Sequence, residues 1–250
     1  MKKHRILISV IGVIVLLLLV TDSCLSADNA IVCLKKNGDF YFDGCLDDAV
    51  WANKLVAPFF LKSEAMGQAA YQTSVYMMWD DNYLYICARC RDDDIVAHYT
   101  KRDDPIYLED VFEIFIRPDV TNNFIFEFEF SPTGVIWDGL DRRGLPNSSG
   151  YAEITKKAWN AKGAKCKTNI RGTLNNMWDR DVEWITEIMI PLACFAPVTG
   201  PVKPGERWQI VFARCESSAY LEKVEWSASI PLKQYGVWEN YAEWPIVVFQ

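Results

Sequence analysis

An all-β sandwich of two antiparallel sheets, jelly-roll-like and with short helical turns, is the fold class that this sequence predicts. Three observations predict it. Short apolar runs recur at intervals of about ten residues and are separated by clusters of turn-forming residues. Several runs alternate with a period of two, the mark of a strand with two different faces. No stretch beyond the N-terminus shows convincing helical periodicity.

Taken in order, "DFYFDGCLDDAVWANK" reads as a strand, a tight turn at Asp43-Gly44 and a helical turn starting near Asp47 or Asp48. "TSVYMMWDDNYLYICARCRDDD" is a hairpin: Ser74 to Trp79, a turn at Asp80-Asp81-Asn82, then Tyr83 to Cys90. "EDVFEIFIRPD" and "NFIFEFEFSPTG" form a second pair, joined around Asp119 to Asn123. In the latter Phe124, Phe126, Phe128 and Phe130 share one face, and Ile125, Glu127 and Glu129 the other. "GLDRRGLPNSSG", residues 139–150, reads as a loop. "EWITEIMIPLACF" is a strand ended at Pro191, and "PGERWQIVFARCE", "KVEWSAS" and "AEWPIVVF" complete the sheets. No linker rich in Pro, Gly or Ser divides the chain, and no internal repeat is evident.

Residues 1–27 read as a cleaved signal peptide. Lys2, Lys3 and Arg5 precede an apolar run from Ile6 to Val20 and a small-residue region, "TDSCLSA". The run is short for a membrane span, so no span is expected in the mature chain, residues 28–250. A lipid anchor through Cys24 is the rival reading, although Thr21 stands where a lipobox usually has leucine. The expected location is secreted, extracellular or periplasmic, or the lipid-anchored cell surface. Removing residues 1–27 takes away three basic residues and one acid, so the net charge falls from −7 to −9. An acidic domain of this kind is a poor partner for nucleic acid or anionic lipid. Neutral ligands, or cations such as calcium, suit it better.

Seven cysteines remain, an odd number, so at least one is free or paired outside the chain. In "CARC" Cys87 and Cys90 lie three apart on a strand and point to opposite faces, which favours two buried thiols over a redox pair. His98 is the one histidine of the mature chain, so zinc-type spacing is absent.

The stretch "IYLEDVFEIFIRPD", Ile106 to Asp119, places Phe112, Ile114 and Ile116 on one strand face. Val111, Glu113, Phe115 and Arg117 fall on the other, with Tyr107, Glu109 and Asp110 just upstream. With the phenylalanine faces turned inward, Glu113, Glu127 and Glu129 project onto a second face, and Tyr83, Tyr85, Arg89 and Arg91 are candidates to join them. Carboxylates and arginines beside aromatic rings suit a neutral polyol, by stacking and by bidentate hydrogen bonds. A solvated face with cross-strand Glu–Arg pairs is the other reading of the same pattern. Glu127 and Glu129 stand side by side on one strand, not opposed across a cleft as glycoside hydrolysis needs. No Ser/His/Asp or Cys/His set and no glycine-rich phosphate loop is present. Turn acids Asp80, Asp81, Asp92 and Asp93 are oxygen-rich candidates for calcium or plain solvated turns.

The motifs "FDGCLDDAVW", "WDDNYLYICARCRDDD", "LEDVFEIFIRPD", "FEFEFSPTGVIWD", "WITEIMIPL", "PGERWQIVFAR" and "WPIVVF" stand in the order seen in family 9 carbohydrate-binding modules, which are DOMON-like β-sandwiches. The chain resembles that family from about Phe40 to Phe249. The resemblance implies a non-catalytic module that needs no cofactor and binds polysaccharide or oligosaccharide, including chain ends, between two aromatic rings. It further implies structural calcium, an association with glycoside hydrolases and a part in carbohydrate catabolism. Matched position by position, Glu113 is the acid that bonds sugar hydroxyls and Tyr107 stands where tryptophan is usual. Trp238, or Tyr235, supplies the second ring. An arginine that some relatives carry near Glu127 is missing here, and Arg214 is the candidate to compensate. "FDGCLDDAVW" is read as structural, with Trp51 as an aromatic plug. Two alternatives stay open. One is a haem-binding electron-transfer sandwich, with His98, Met77 and Met78 as axial candidates. The other is a cell-surface structural or adhesion protein.

Overall fold

The computed structural model describes residues 30–52, 60–61, 67–122, 124–142, 159–231 and 243–250. Twelve strands form the framework: β1 (Ile31–Lys35), β2 (Phe60–Leu61), β3 (Thr73–Trp79), β4 (Tyr83–Arg91), β5 (Val111–Arg117), β6 (Phe124–Phe130), β7 (Ile136–Arg142), β8 (Lys165–Arg171), β9 (Glu183–Pro191), β10 (Arg207–Glu216), β11 (Glu225–Ala228) and β12 (Ile246–Phe249). The hydrogen-bonded order is β7-β6-β5-β10-β12-β1-β3-β4-β9-β8, with β11 on β10 and β2 on β11.

Two sheets result, and β1 joins them. Ile31 to Cys33 pair with β12, and Leu34 and Lys35 pair with β3, both in parallel. The expected purely antiparallel sheets are therefore mixed at this seam. Elsewhere the pairing is antiparallel, from the β3–β4 hairpin to β5–β6. We call β7-β6-β5-β10-β12, with β11, the first sheet, and β3-β4-β9-β8 the second.

The alternation read from the sequence places the core. Phe112, Ile114, Ile116, Phe126, Phe128 and Phe130 from the first sheet meet Val75, Met77, Trp79, Leu84, Ile86, Trp184 and Ile188 from the second. Aromatic rings run through this layer edge to face. Trp208 lies 4.9 Å from Phe195 and 4.7 Å from Phe249, and Phe195 lies 4.9 Å from Phe126.

On the far side of the second sheet a smaller cluster packs Val50, Trp51, Met78, Tyr85 and Cys87. Trp51 belongs to a 3-10 turn, Ala49–Trp51, where the sequence expects a helical turn. Its indole Nε1 donates to Glu187 Oε1 at 3.0 Å, and Glu187 Oε2 accepts from the amides of Asp43 and Gly44. Gly44 has φ +89, and a Cβ there would lie 3.0 Å from the Thr168 carbonyl carbon, so the turn requires glycine. The plug role of Trp51 thus rests on a buried carboxylate 136 residues away in sequence.

Four expectations differ. Residues 39–45 are turn and irregular chain, not a strand. The expected loop from Gly139 begins instead as the end of β7. β1 and β8 are strands without a strong sequence signal. Cys87 and Cys90 are buried on opposite faces as expected, and all seven described cysteines are free thiols. Burial pushes the Cys90 thiol up to about 12. β8 is an edge strand, and it turns Lys165, Lys167, Asn169 and Arg171 to solvent, charges that discourage edge-to-edge pairing.

Candidate functional site

The register of β5, β6 and β10 sets the site. Glu113 stands opposite Ala213 on one side and Glu129 on the other. Glu127 stands opposite Phe115 and Gly139, and Glu129 opposite Trp137. Directly opposed residues of an antiparallel pair share a face. The three glutamates therefore lie together on the outer face of the first sheet, away from the phenylalanine core.

Hydrophobic clusters flank them at both ends. Towards the start of β5 are Ile106, Val111, Val135 and Cys215, with Tyr99, Trp137 and Trp226 packed against them. Towards its end are Phe115, Ile125, Val211, Ala213, Ala228 and Trp244. This packing leaves Glu113 2%, Glu129 3% and Glu127 9% exposed. The Glu129 carboxyl is held well above the ordinary carboxylate range. Burial is the largest cause, and the charges of Glu113 and Glu127 add to it. Glu129 Oε2 is buried and accepts no hydrogen bond.

Trp137 shapes the margin of this face. A Cβ on Gly139 would lie 2.8 Å from Cη2 of Trp137, so the indole folds along β7 over a position that glycine keeps open. Tyr107 lies in the 3-10 turn Ile106–Leu108, whose Ile106 anchors in the neighbouring cluster, and is 42% exposed.

The structure thus brings Glu113 and Glu127 onto one face, and Tyr107 lies in the turn that leads into β5. It does not bring Arg214 to them. Arg214 alternates with Ala213 on β10, so it points to the interior and is fully buried. The expectation that it compensates on the sugar face is corrected by this one-residue difference in facing. Tyr83, Tyr85 and Arg89 belong to the outside of the second sheet and do not join the glutamates; Tyr85 packs with Trp51, and Arg89 pairs with Glu183 at 2.7 Å. Trp238 and Tyr235 lie outside the described residues. Glu113 and Glu127 sit on the expected face but are buried there, so the accessible side chains near it are Tyr107, Trp137 and Trp226. The last two escaped the sequence reading. The signal for Trp137 was its place two residues before Gly139 on a strand face; Trp226 is found only through its pairing with Cys215.

Arg214 centres a separate node between the sheets. Its Nη2 donates to Asp92 Oδ2 at 3.0 Å and to Glu216 Oε2, and its Nη1 donates to the Arg91 carbonyl at 2.6 Å. Asp92, Asp110 and Glu216 lie close enough to share one ion. Their oxygens are already engaged. Asp92 also accepts from Asp94 N and Trp184 Nε1, Asp110 from Val96 N, Ser217 N and Ser217 Oγ, and Glu216 from Ser218 N. All six carboxylate oxygens hold a proton donor, and a guanidinium supplies the positive charge. This arrangement fits an arginine node and not calcium. The other turn acids are engaged too. Asp80 accepts from Asn82 N, Tyr83 N and the Tyr85 hydroxyl, Asp81 pairs with Lys35, and Asp93 with Arg180.

The haem candidates do not converge. Met77 is in the core, Met78 in the cluster on the far side of the second sheet, and His98 is exposed with its Nδ1 2.8 Å from Glu109.

Comparison with known proteins agrees with this architecture. Residues 42–244 match the family described as carbohydrate family 9 binding domain-like. No curated protein matches the sequence. Among solved structures, a family 9 module from Caldicellulosiruptor kristjanssonii in complex with glucose superposes with a TM-score of 0.59 at 15% identity, over 88% of this chain and 95% of that one. The same organism's module in complex with cellotriose gives 0.56 at 17% identity, over 88% and 93%. A Bacteroides uniformis protein proposed to bind carbohydrate gives 0.62 at 11% identity, over 88% and 100%.

Proposed function

The chain belongs to the carbohydrate family 9 binding domain-like family, and from that premise we propose that it binds polysaccharide or oligosaccharide on the outer face of the first sheet without acting on it chemically. The observation that carries the reading is the set of three glutamates between two hydrophobic clusters, edged by partly exposed aromatic rings. Tyr107 and Trp137 offer ring faces for a pyranose. Glu127 and Glu113 offer hydroxyl acceptors, and Glu129 Oε2 is a buried group that a sugar hydroxyl would satisfy. That solved family members were obtained with glucose and cellotriose supports a gluco-configured ligand. Glu127 and Glu129 stand side by side on one strand and do not face each other across a cleft, which supports binding without hydrolysis. The basic start and apolar run of residues 1–27 support export of the domain.

The test is affinity electrophoresis of the full mature chain against soluble glucans, xylans and mannans. The wild type is expected to be retarded by at least one. Trp137→Ala and Tyr107→Ala are each expected to lower that affinity roughly tenfold. Retardation by none of the polymers, or undiminished retardation of both variants, overturns the reading.

A further inference from the structure

Three loops at one end of the sandwich carry exposed large apolar side chains, among them Tyr107, Leu108, Leu174, Met177, Trp178 and Tyr220. Trp178 is 86% exposed, the most of any. Its loop, residues 172–182, joins β8 to β9 and is tied down on every side. Asn175, at φ +59, takes a hydrogen bond from Ala97 N at 2.7 Å and gives one to Ala97 O at 3.1 Å. Thr173 Oγ1 donates to Asp179 at 2.9 Å, and Asp181 accepts from Thr173 N and Ile95 N. The Tyr220 hydroxyl shares its proton between the carbonyls of Met177, at 2.9 Å, and Asp179, at 2.8 Å, and so clamps the backbone on both sides of Trp178. The Arg180 guanidinium covers the Tyr220 ring at 4.0 Å and is held by Asp93.

This bonding positions an indole in water, so a partner meeting it loses little conformational freedom. The position also has a neighbour. Residues 174–175 lie beside 95–97, and 96–98 beside 109–110, through backbone and side-chain hydrogen bonds. At a strand spacing of about 4.8 Å, residues 174–175 are roughly 10 Å from residues 109–110, which follow Tyr107 in the chain. Both stand on one rim.

We infer that Trp178 is a second, distal contact for a glycan chain, which crosses the rim beyond Tyr107 and stacks a further pyranose on the indole. The inference rests on the proposed sugar face and names what that face binds: a chain of several units. An 86%-exposed indole in a stretch, residues 172–180, that has no Lys or Glu offers the stacking surface that a neutral sugar requires.

Titration calorimetry with glucose and with cello-oligosaccharides of two to six units tests it, on the wild type and Trp178→Ala. The side chain is exposed, so the variant should keep the wild-type melting temperature. The expected result is an affinity that rises roughly tenfold from the shorter to the longer oligosaccharides in the wild type, and no rise in Trp178→Ala, with glucose binding equal in both. If short sugars bind but affinity does not grow with length, or still grows in the variant, the distal contact is wrong and the sugar face stands. If the variant loses glucose as much as the hexasaccharide, Trp178 is no distal site. If no sugar of any length binds the wild type, both ideas fail together.

Discussion

Replacing Arg214 with methionine is expected to cost about 3–5 kcal/mol of folding stability, enough to unfold many domains of ordinary stability. Arg214 is fully buried, and three carboxylates surround it: Asp92, Asp110 and Glu216. Methionine fills much the same volume but leaves buried acids without the guanidinium they share. Burial alone would lower the Arg214 pKa, yet the charges of Glu216, Cys90, Asp92 and Asp110 carry it above the ordinary arginine value. Urea denaturation at neutral pH measures the loss. A variant within about 0.5 kcal/mol of the wild type would show the node to be dispensable.

The same node gives stability a pH dependence of unusual sign. Burial, and then the charge of Asp92, push Asp110 up to about 7. In the unfolded chain an aspartate titrates near 3.9. Between these values the folded protein holds more protons than the unfolded one, so stability falls as pH rises from about 4 to about 7 and then levels off. Asp110→Asn is expected to flatten that fall, visible as melting temperatures that change less with pH than those of the wild type. An equal slope in both would place the titration elsewhere.

Trp208→Ala is the second large effect, about 3–5 kcal/mol through the cavity left in the aromatic core. The indole is wholly buried and touches Phe195 and Phe249 edge to face. Its Nε1 is buried without a hydrogen-bond acceptor. The folded state therefore already carries the desolvation cost of that N–H. Trp208→Phe removes the cost while filling most of the space, so it should lose well under half of what alanine loses. Denaturant midpoints of the two variants decide this, and equal losses would contradict the account of the orphaned N–H.

The alternation of β5 and β6 was legible because each strand buries one face in phenylalanine and the other around carboxylates. That pattern placed Glu113, Glu127 and Glu129 on one surface from spacing alone. β8, "KCKTNIR", was not legible, because an edge strand needs few apolar residues to hold one side of a sheet. β1 was not legible because its pairing with β12 and β3 is parallel and distant in sequence, which no local pattern encodes. Arg214 was placed on the wrong face because the run "RWQIVFARCE" is apolar on both sides, so period two gave no facing. Trp226 could be seen at the site only once β11 was registered on β10. Trp178 was passed over because a lone tryptophan in a polar loop looks, in sequence, like any other.

The central claim is that the outer face of the first sheet holds sugar, and the indole N–H resonances of Trp137 and Trp226 report on it most directly. Titrating the nitrogen-15-labelled protein with cellotriose is expected to move these two signals together, saturably, while the buried indoles of Trp208 and Trp184 stay in place. Binding that leaves the Trp137 and Trp226 signals unmoved would put the sugar on another surface and contradict the account.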